Sequence, residues 1–479
     1  MSTGSLGRQE VRATEGETPG RWGGAMVLAS CLGFFLINLD ATIVNVALPA
    51  IGQGLHAGLS GLQWVVAGYT LAFAGLLLSA GTVSDRIGAD RLFGYGLLGF
   101  AAASAACGLA DGVVSLVAAR VAQGAAAAAV LPSSLALLRQ SVPDSAVRTR
   151  AIALWAAGGG AALSAGPIAG GLLTSALGWR AIFFVNVPFG LLAVVGLARA
   201  GRSVPQRRSF DPAGQVSAVL ALTGFTFALI ELGPAGARSP LVVGPLLVSF
   251  AALFWFRWAE SRARAPMVDL RELRSRVFVS CLATGFALNF SFYGILFVFS
   301  LIFQQDRGWS PIRTGLSFLP MTVLVLAANL LAGRLTRTVG PRLPMAGAQL
   351  LSATGFLGIA LVGLDGPAWL LLPATLPIGI GGGLASPPMM TALLEAVPAE
   401  RAGVVSGLLS ACRQAGGALG VTLFGLLISA AGFGLATGLR LSAVAAGGLL
   451  VLAAVASYRW VPGAARRGAA PPVPSVRRP

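Results

Sequence analysis

The chain is poor in charge, and what charge it has is of an unusual kind. Asp, Glu, Lys and Arg make up 11% of its 479 residues, against roughly 25% in a soluble globular domain. Lysine is absent, so all 34 basic residues are arginine. A single histidine, His56, leaves no basis for a His-ligated metal site or a Ser-His-Asp triad, and it is expected to be solvated in the first external loop. The four cysteines, Cys31, Cys107, Cys281 and Cys412, lack the spacing of a disulfide framework or a metal site and read as small apolar residues within helices. There is no cluster of acids for a membrane enzyme to use. Nor is there a charged ring or filter-like loop of the kind a channel needs.

Apolar length takes the place of charge. With 56% hydrophobic residues and a mean hydropathy of +0.80, the chain is expected to be an all-α integral membrane protein. Runs of about 20 apolar residues fit one crossing each. Fourteen transmembrane spans can be placed, beginning near residues 25, 62, 92, 113, 150, 181, 213, 241, 277, 313, 343, 368, 404 and 437.

The arginines orient these spans. If both termini are cytoplasmic, 27 arginines fall on the cytoplasmic side and five, Arg180, Arg238, Arg307, Arg313 and Arg440, outside, with Arg120 and Arg413 left in spans. Such asymmetry is the positive-inside pattern, and an even number of spans agrees with it. The expected location is the cytoplasmic (inner) membrane, multi-pass, with the lipid bilayer as surroundings. The net charge of +17 is spread over many loops rather than gathered in a patch, so no nucleic acid partner is expected. The first 24 residues are polar and charge-balanced, unlike a signal peptide.

Twelve spans divide into two sixes around a pair. The expected units are an N-terminal tail (1–24), a six-helix bundle (25–201), two extra spans with flanking loops (202–276), a second six-helix bundle (277–459) and a disordered tail (460–479). An internal echo supports duplication: Gly81-Thr82-Val83-Ser84-Asp85-Arg86-Ile87-Gly88 after the second span is matched by Gly333-Arg334-Leu335-Thr336-Arg337-Thr338-Val339-Gly340 after the tenth. Parallel repeats of this kind build many secondary transporters.

Chemistry is concentrated in a few places. Asp40 lies within the apolar stretch Met26 to Leu48, where a charge costs at least about 2.5 kcal/mol and marks function by default. At 1.5 Å per residue it sits about 8 Å below the outer edge of the hydrocarbon core, and Arg120 about 12 Å below the same edge. Matching depth predicts that they pair, since an unpaired charge there is far costlier. Helical phase puts Asn38, Thr42 and Asn45 on one face of the first span and turns Asp40 away from it. That polar stripe either meets substrate, the reading preferred, or bonds to neighbouring helices. In span nine Phe286, Phe290, Tyr293, Phe297, Ser300 and Gln304 form one aromatic-to-polar face, suited to flat apolar molecules or cations. Arg413 near the midplane leaves three readings open: bonding to backbone carbonyls, facing a wet cavity, or binding an anionic group.

The segment Leu39-Asp40-Ala41-Thr42-Ile43-Val44-Asn45-Val46-Ala47-Leu48-Pro49 resembles the first-helix signature of the fourteen-span drug:proton antiporters of the major facilitator superfamily. Similar matches follow in order: Gln63-Trp64-Val65-Val66-Ala67-Gly68-Tyr69, Arg120-Val121-Ala122-Gln123-Gly124, Gly166-Pro167-Ile168-Ala169-Gly170-Gly171, Trp179 to Pro188, and Arg401 to Gly407 continuing to Gly417. The resemblance implies two pseudo-symmetric six-helix bundles with two inserted helices, and a proton-coupled exporter of hydrophobic or cationic small molecules working by alternating access. A dedicated exporter or importer of one natural product or metabolite is the alternative. It implies Asp40 as proton carrier with Arg120 its partner, a gating latch at Gly81, Asp85, Arg86 and Gly88, and an antiport-linked bend at Gly166 and Pro167. Tyr69 joins Asn38, Thr42, Asn45, Phe286, Phe290, Tyr293 and Phe297 as an expected substrate contact. A proton gradient and no cofactor or metal is expected, with the monomer as functional unit. Two departures stand out: Asp90 where the loop pattern has a basic residue, and Ala162 where the fifth-span pattern has glycine.

Overall fold

Backbone polar groups in lipid must be satisfied within their own segment, and this chain meets that demand with helices. The computed structural model describes residues 19–142, 144–198, 211–262, 272–364, 366–398, 401–429 and 434–463. Most of both expected tails, and large parts of the loops flanking the expected extra pair, lie outside the described residues. In order the helices are α1 (Pro19–Leu55), α2 (Leu59–Ile87), α3 (Ala89–Leu109), α4 (Val113–Ser141), α5 (Ser145–Leu177), α6 (Ala181–Phe184), α7 (Asn186–Ala198), α8 (Pro212–Ala235) and α9 (Pro240–Arg262). Then come α10 (Arg276–Leu301), a π-helical turn (Ile302–Asp306), α11 (Pro311–Ser317), α12 (Leu319–Val339), α13 (Arg342–Val362), α14 (Ala368–Ala374), α15 (Leu376–Glu395), α16 (Ala402–Ser429) and α17 (Gly434–Trp460). Among the described residues 13 helical stretches are long and apolar enough to cross a membrane, and a shorter apolar one, Ala181–Leu197, falls where the sixth crossing is expected.

Proline explains why some crossings are broken. Helix α6 gives way to α7 at Val185, α11 to α12 at Phe318 and α14 to α15 at Thr375. Each break falls just before Pro188, Pro320 or Pro377. A proline has no N–H to donate, and its ring crowds the carbonyl four residues back, so the helix bends there.

Glycines set how closely the helices pack. A side chain at Gly166 of α5 would run into Thr42 of α1, and one at Gly170 into the Ile43 carbonyl. On α16, Gly416 and Gly420 face the Phe286 and Phe290 carbonyls of α10 in the same manner. Gly124 of α4 meets the Tyr69 carbonyl of α2, while Gly379 and Gly383 of α15 meet the Met321 and Val325 carbonyls of α12. Small residues four apart are the usual device for close helix approach in lipid. The sequence echo has a conformational counterpart: Gly88 (φ 99°) and Gly340 (φ 76°) end α2 and α12, with N–H groups donating to the Ser84 and Thr336 carbonyls.

Helix α8 packs against α9 and touches both α2 and α16. Ser79 Oγ donates to Gln215 Oε1 at 2.5 Å, Trp64 meets Phe227 at 5.4 Å between ring centres, and Gly233 lies against Ser429.

Burial differs between the two ends of the inner helices. Helix α1 is buried on all sides from Leu39 to Pro49, and α10 with its π turn from Tyr293 to Phe303. These are the ends away from the arginine-rich loops. On the arginine-rich side Cys31, Phe35 and Asn38 of α1, Phe286 and Asn289 of α10, and Arg413 and Gln414 of α16 are part-exposed. Hydrogen bonds seal the arginine-poor half between early and late helices. Gln304 Nε2 donates to the Val46 carbonyl at 2.8 Å, Gln63 Nε2 to the Thr422 carbonyl at 2.8 Å, Ser164 Oγ to the Thr322 carbonyl at 2.8 Å, and the Ile312 N–H to Ser175 Oγ at 3.2 Å.

Candidate functional site

The buried helix α1 carries Asp40 into a closed polar network. Asp40 is wholly buried and Arg120 of α4 is 1% exposed. Arg120 Nη1 meets Asp40 Oδ2 at 2.5 Å, as the matched depths predict. Gln123 Nε2 and Asn186 Nδ2 both donate to Asp40 Oδ1, each at 2.8 Å. Arg120 Nη1 also reaches Gln123 Oε1 at 2.8 Å, and its Nε reaches the Val65 carbonyl at 3.1 Å. The carboxylate thus accepts from three side chains, one of them cationic. Charge-assisted bonds of this kind are about twice as strong as neutral ones.

A second layer holds the donors in place. Asn186 Nδ2 also meets Ser104 Oγ at 3.1 Å, and Ser104 in turn donates to the Phe183 carbonyl at 2.8 Å. The Cys107 thiol faces Gln123 Oε1 at 3.6 Å. The guanidinium carbon of Arg120 stands 4.2 Å over the Tyr69 ring, a cation–π contact in a dry setting. Gly124, next to Gln123, is what lets α4 approach α2 closely enough to place Arg120 over that ring.

Sequence reasoning gave no role to Gln123, Asn186 or Ser104. Gln123 was within reach, since it lies three residues after Arg120 and so shares its helical face. Asn186 is an amide in the short sixth apolar segment, and only the break at Val185 shows which way it is presented.

The expected substrate contacts fare differently. Thr42 and Asn45 are fully buried. Thr42 Oγ1 donates to the Asn38 carbonyl at 3.2 Å and packs on Gly166, and Asn45 Nδ2 donates to the Ala41 carbonyl at 3.2 Å. Asn38 is part-exposed, with Nδ2 on the Phe34 carbonyl at 2.8 Å. The stripe is therefore covered by α5 over much of its length rather than open. Tyr69 is buried beneath Arg120. On α10, Phe286 is part-exposed, while Phe290, Tyr293 and Phe297 are buried. The rings of Phe286 and Phe290 stack at 6.0 Å, and Phe290 meets Phe424 edge-on at 5.6 Å.

The expected gating residues occupy two ends. Gly88 terminates α2 with positive φ, Gly81 has open space beside it, and Asp85 and Arg86 are both engaged in polar or electrostatic contacts. Gly166 lies at the α1 interface, and the Pro167 carbonyl meets Gly315 of α11. No group of three or more potential metal ligands occurs among the described residues.

The chain is 37% identical over 406 residues to the multidrug resistance protein Stp of Mycobacterium tuberculosis, covering 84% of this chain and 75% of that protein. It is 35% identical over 415 residues to the methylenomycin A resistance protein of Streptomyces coelicolor, covering 85% and 86%. The drug efflux pump JefA of Mycobacterium tuberculosis is 36% identical over 411 residues, covering 84% and 80%. Among solved structures, a D-xylose–proton symporter superposes with a TM-score of 0.68 at 14% identity, covering 92% of this chain and 98% of that one. A bacterial homologue of the human lysosomal transporter Spinster superposes at 0.64 and 18% identity, covering 92% and 97%. Residues 30–421 match the Major Facilitator Superfamily as a whole, and the chain is a multi-pass membrane transporter belonging to that superfamily.

Proposed function

We propose that this transporter is a proton-coupled exporter of hydrophobic small molecules, working by alternating access. The observation that carries the proposal is the buried Asp40 carboxylate held by Arg120, Gln123 and Asn186. Protonation removes the charge that holds Arg120, leaving its guanidinium to the Val65 carbonyl, Gln123 and the Tyr69 and Phe183 rings, so a single proton alters the packing of α1 against α4. Val46 lies on the same helix, six residues beyond Asp40, and its carbonyl takes part in the seal through Gln304. A shift of α1 is thereby felt at the closed end.

The arginine-rich side is assigned to the cytoplasm by the positive-inside rule, which puts both termini there in a cell inner membrane. The present state is then closed outside and part-open inside. Two six-helix units (25–201 and 277–459) rock about a central cavity, with α8 and α9 as inserted spans that complete fourteen crossings. The last turns of α2, carrying Gly81, Asp85 and Arg86 and ended by Gly88, latch the cytoplasmic side, and Gly166 and Pro167 form part of the outer seam. A proton gradient supplies the energy without a cofactor, and the monomer suffices. The cationic part of the expected substrate class finds less support than the hydrophobic part, because the one mid-span acid, Asp40, is already committed to three donors.

Relatives described as resistance and efflux proteins support export. Relatives named for one antibiotic, such as the methylenomycin A and tetracenomycin C proteins, favour a second reading, a dedicated exporter of one natural product. Expression in a drug-sensitive host, with a panel of unrelated hydrophobic compounds and a protonophore, separates these. Protection against several compounds, lost with the protonophore, supports the proposal. Protection against one supports the dedicated exporter. Protection that survives the protonophore contradicts proton coupling.

A further inference from the structure

Arg413 sits about halfway along α16, and its guanidinium makes no hydrogen bond or ion pair with any described residue. Its stem crosses α10 at Gly285, where an added side chain would come within 3.0 Å of Arg413 Cγ and 3.5 Å of Met389 Sδ on α15. That stem therefore lies where α10, α15 and α16 meet. Tyr293 lies within electrostatic reach. Asn289, one turn along α10 from Gly285, is part-exposed, and so are Phe286 and Arg413 itself. These residues are on the arginine-rich half, the part-open side.

Among the described residues no acid forms an ion pair with this cation. The sequence from 277 to 459 holds four acids, Asp306, Asp365, Glu395 and Glu400, none in the middle of an apolar run. Asp40 already accepts from Arg120, Gln123 and Asn186. The two mid-span cations are thus unequal, one paired and the other without a counter-charge. A guanidinium at such depth is tolerated while water reaches it from an open side. When that side closes, the charge needs an anion, and a carboxylate matches the guanidinium fork.

Resting on the export reading above, we propose that Arg413 is a substrate-binding residue that recognises the carboxylate of an otherwise apolar, aromatic substrate. Phe286 contacts the flat body, and Asn289, one turn along α10 from Gly285, offers a further donor.

Equilibrium binding to the purified full-length protein in detergent tests this with 1-pyrenebutyrate and its methyl ester, followed by pyrene fluorescence. Wild type binds the acid at least about tenfold more tightly than the ester, the difference a hydrogen-bonded charge makes. Arg413→Gln removes the preference by weakening the acid alone, and Arg413→Lys retains part of it. Equal binding of acid and ester by wild type, failure to bind the acid, or an unchanged preference in folded Arg413→Gln overturns the proposal. The wild-type comparison needs no variant, so it stands even if Arg413→Gln fails to fold. Binding needs no gradient, so its failure is distinct from failure of proton-driven export, read on the same preparation with a pH gradient and an uncharged substrate.

Discussion

Asn186 Nδ2 lies 2.8 Å from Asp40 Oδ1, joining the first residue of α7 to the middle of α1 across 146 positions of sequence. The helix break at Val185, ahead of Pro188, presents that amide to the carboxylate. Asn186→Leu leaves Asp40 with two donors and Ser104 without its amide partner. Losing a buried bond to a charged group costs about 1–3 kcal/mol. Asn186→Asp costs more, because it sets a second carboxylate against the first. Thermal unfolding in detergent should therefore rank wild type above Asn186→Leu above Asn186→Asp; equal melting temperatures would show that the contact contributes nothing.

The glycine contacts predict a sharp contrast within the late helices. A side chain on Gly420 meets the Phe290 carbonyl, backbone that cannot turn aside, whereas Gly448 of α17 has nothing within 4 Å. Gly420→Leu should separate α10 from α16 at a cost of about 1–3 kcal/mol or more, seen as reduced folded yield and lower melting temperature. Gly448→Ala should be neutral or slightly stabilising. Equal tolerance at both sites would argue against the close packing of α16 on α10.

The seal on the arginine-poor side can be trapped. The Ile312 N–H meets Ser175 Oγ at 3.2 Å, so the paired changes Ser175→Cys and Ile312→Cys place two thiols on facing backbone of this seam. The native cysteines Cys31, Cys107, Cys281 and Cys412 are unpaired and offer no competing bridge. Oxidation should cross-link the pair and stop transport, with reductant restoring it. Full transport by the cross-linked protein would mean that this seam stays shut throughout the cycle.

Much of the architecture could be read before the fold was known, because bilayer thickness dictates the length of each apolar run and arginine gathers at one end of most of them. The meeting of Asp40 and Arg120 followed from depth alone. Their amide partners did not, since nothing in a string of residues ties position 186 to position 40. The stripe of Asn38, Thr42 and Asn45 shows a further limit. Helical phase tells which side chains share a face, but Gly166 on another helix decides that Thr42 is covered. On α10 the aromatic face was foreseen as one surface, and the seal on the arginine-poor side divides it, leaving Phe286 part-exposed and burying Tyr293 and Phe297.

Coupling through Asp40 is tested most directly in proteoliposomes containing wild type or Asp40→Asn. Two quantities are compared: substrate movement driven by an imposed pH gradient, and substrate exchange at equal pH on both sides. Exchange reports a folded transporter that still alternates, even though Asn leaves Arg120 without its counter-charge. The expected result is that Asp40→Asn retains exchange and loses gradient-driven transport by at least about tenfold, as removal of an essential proton-transfer group does. Gradient-driven transport at the wild-type rate in Asp40→Asn would contradict proton coupling through this carboxylate.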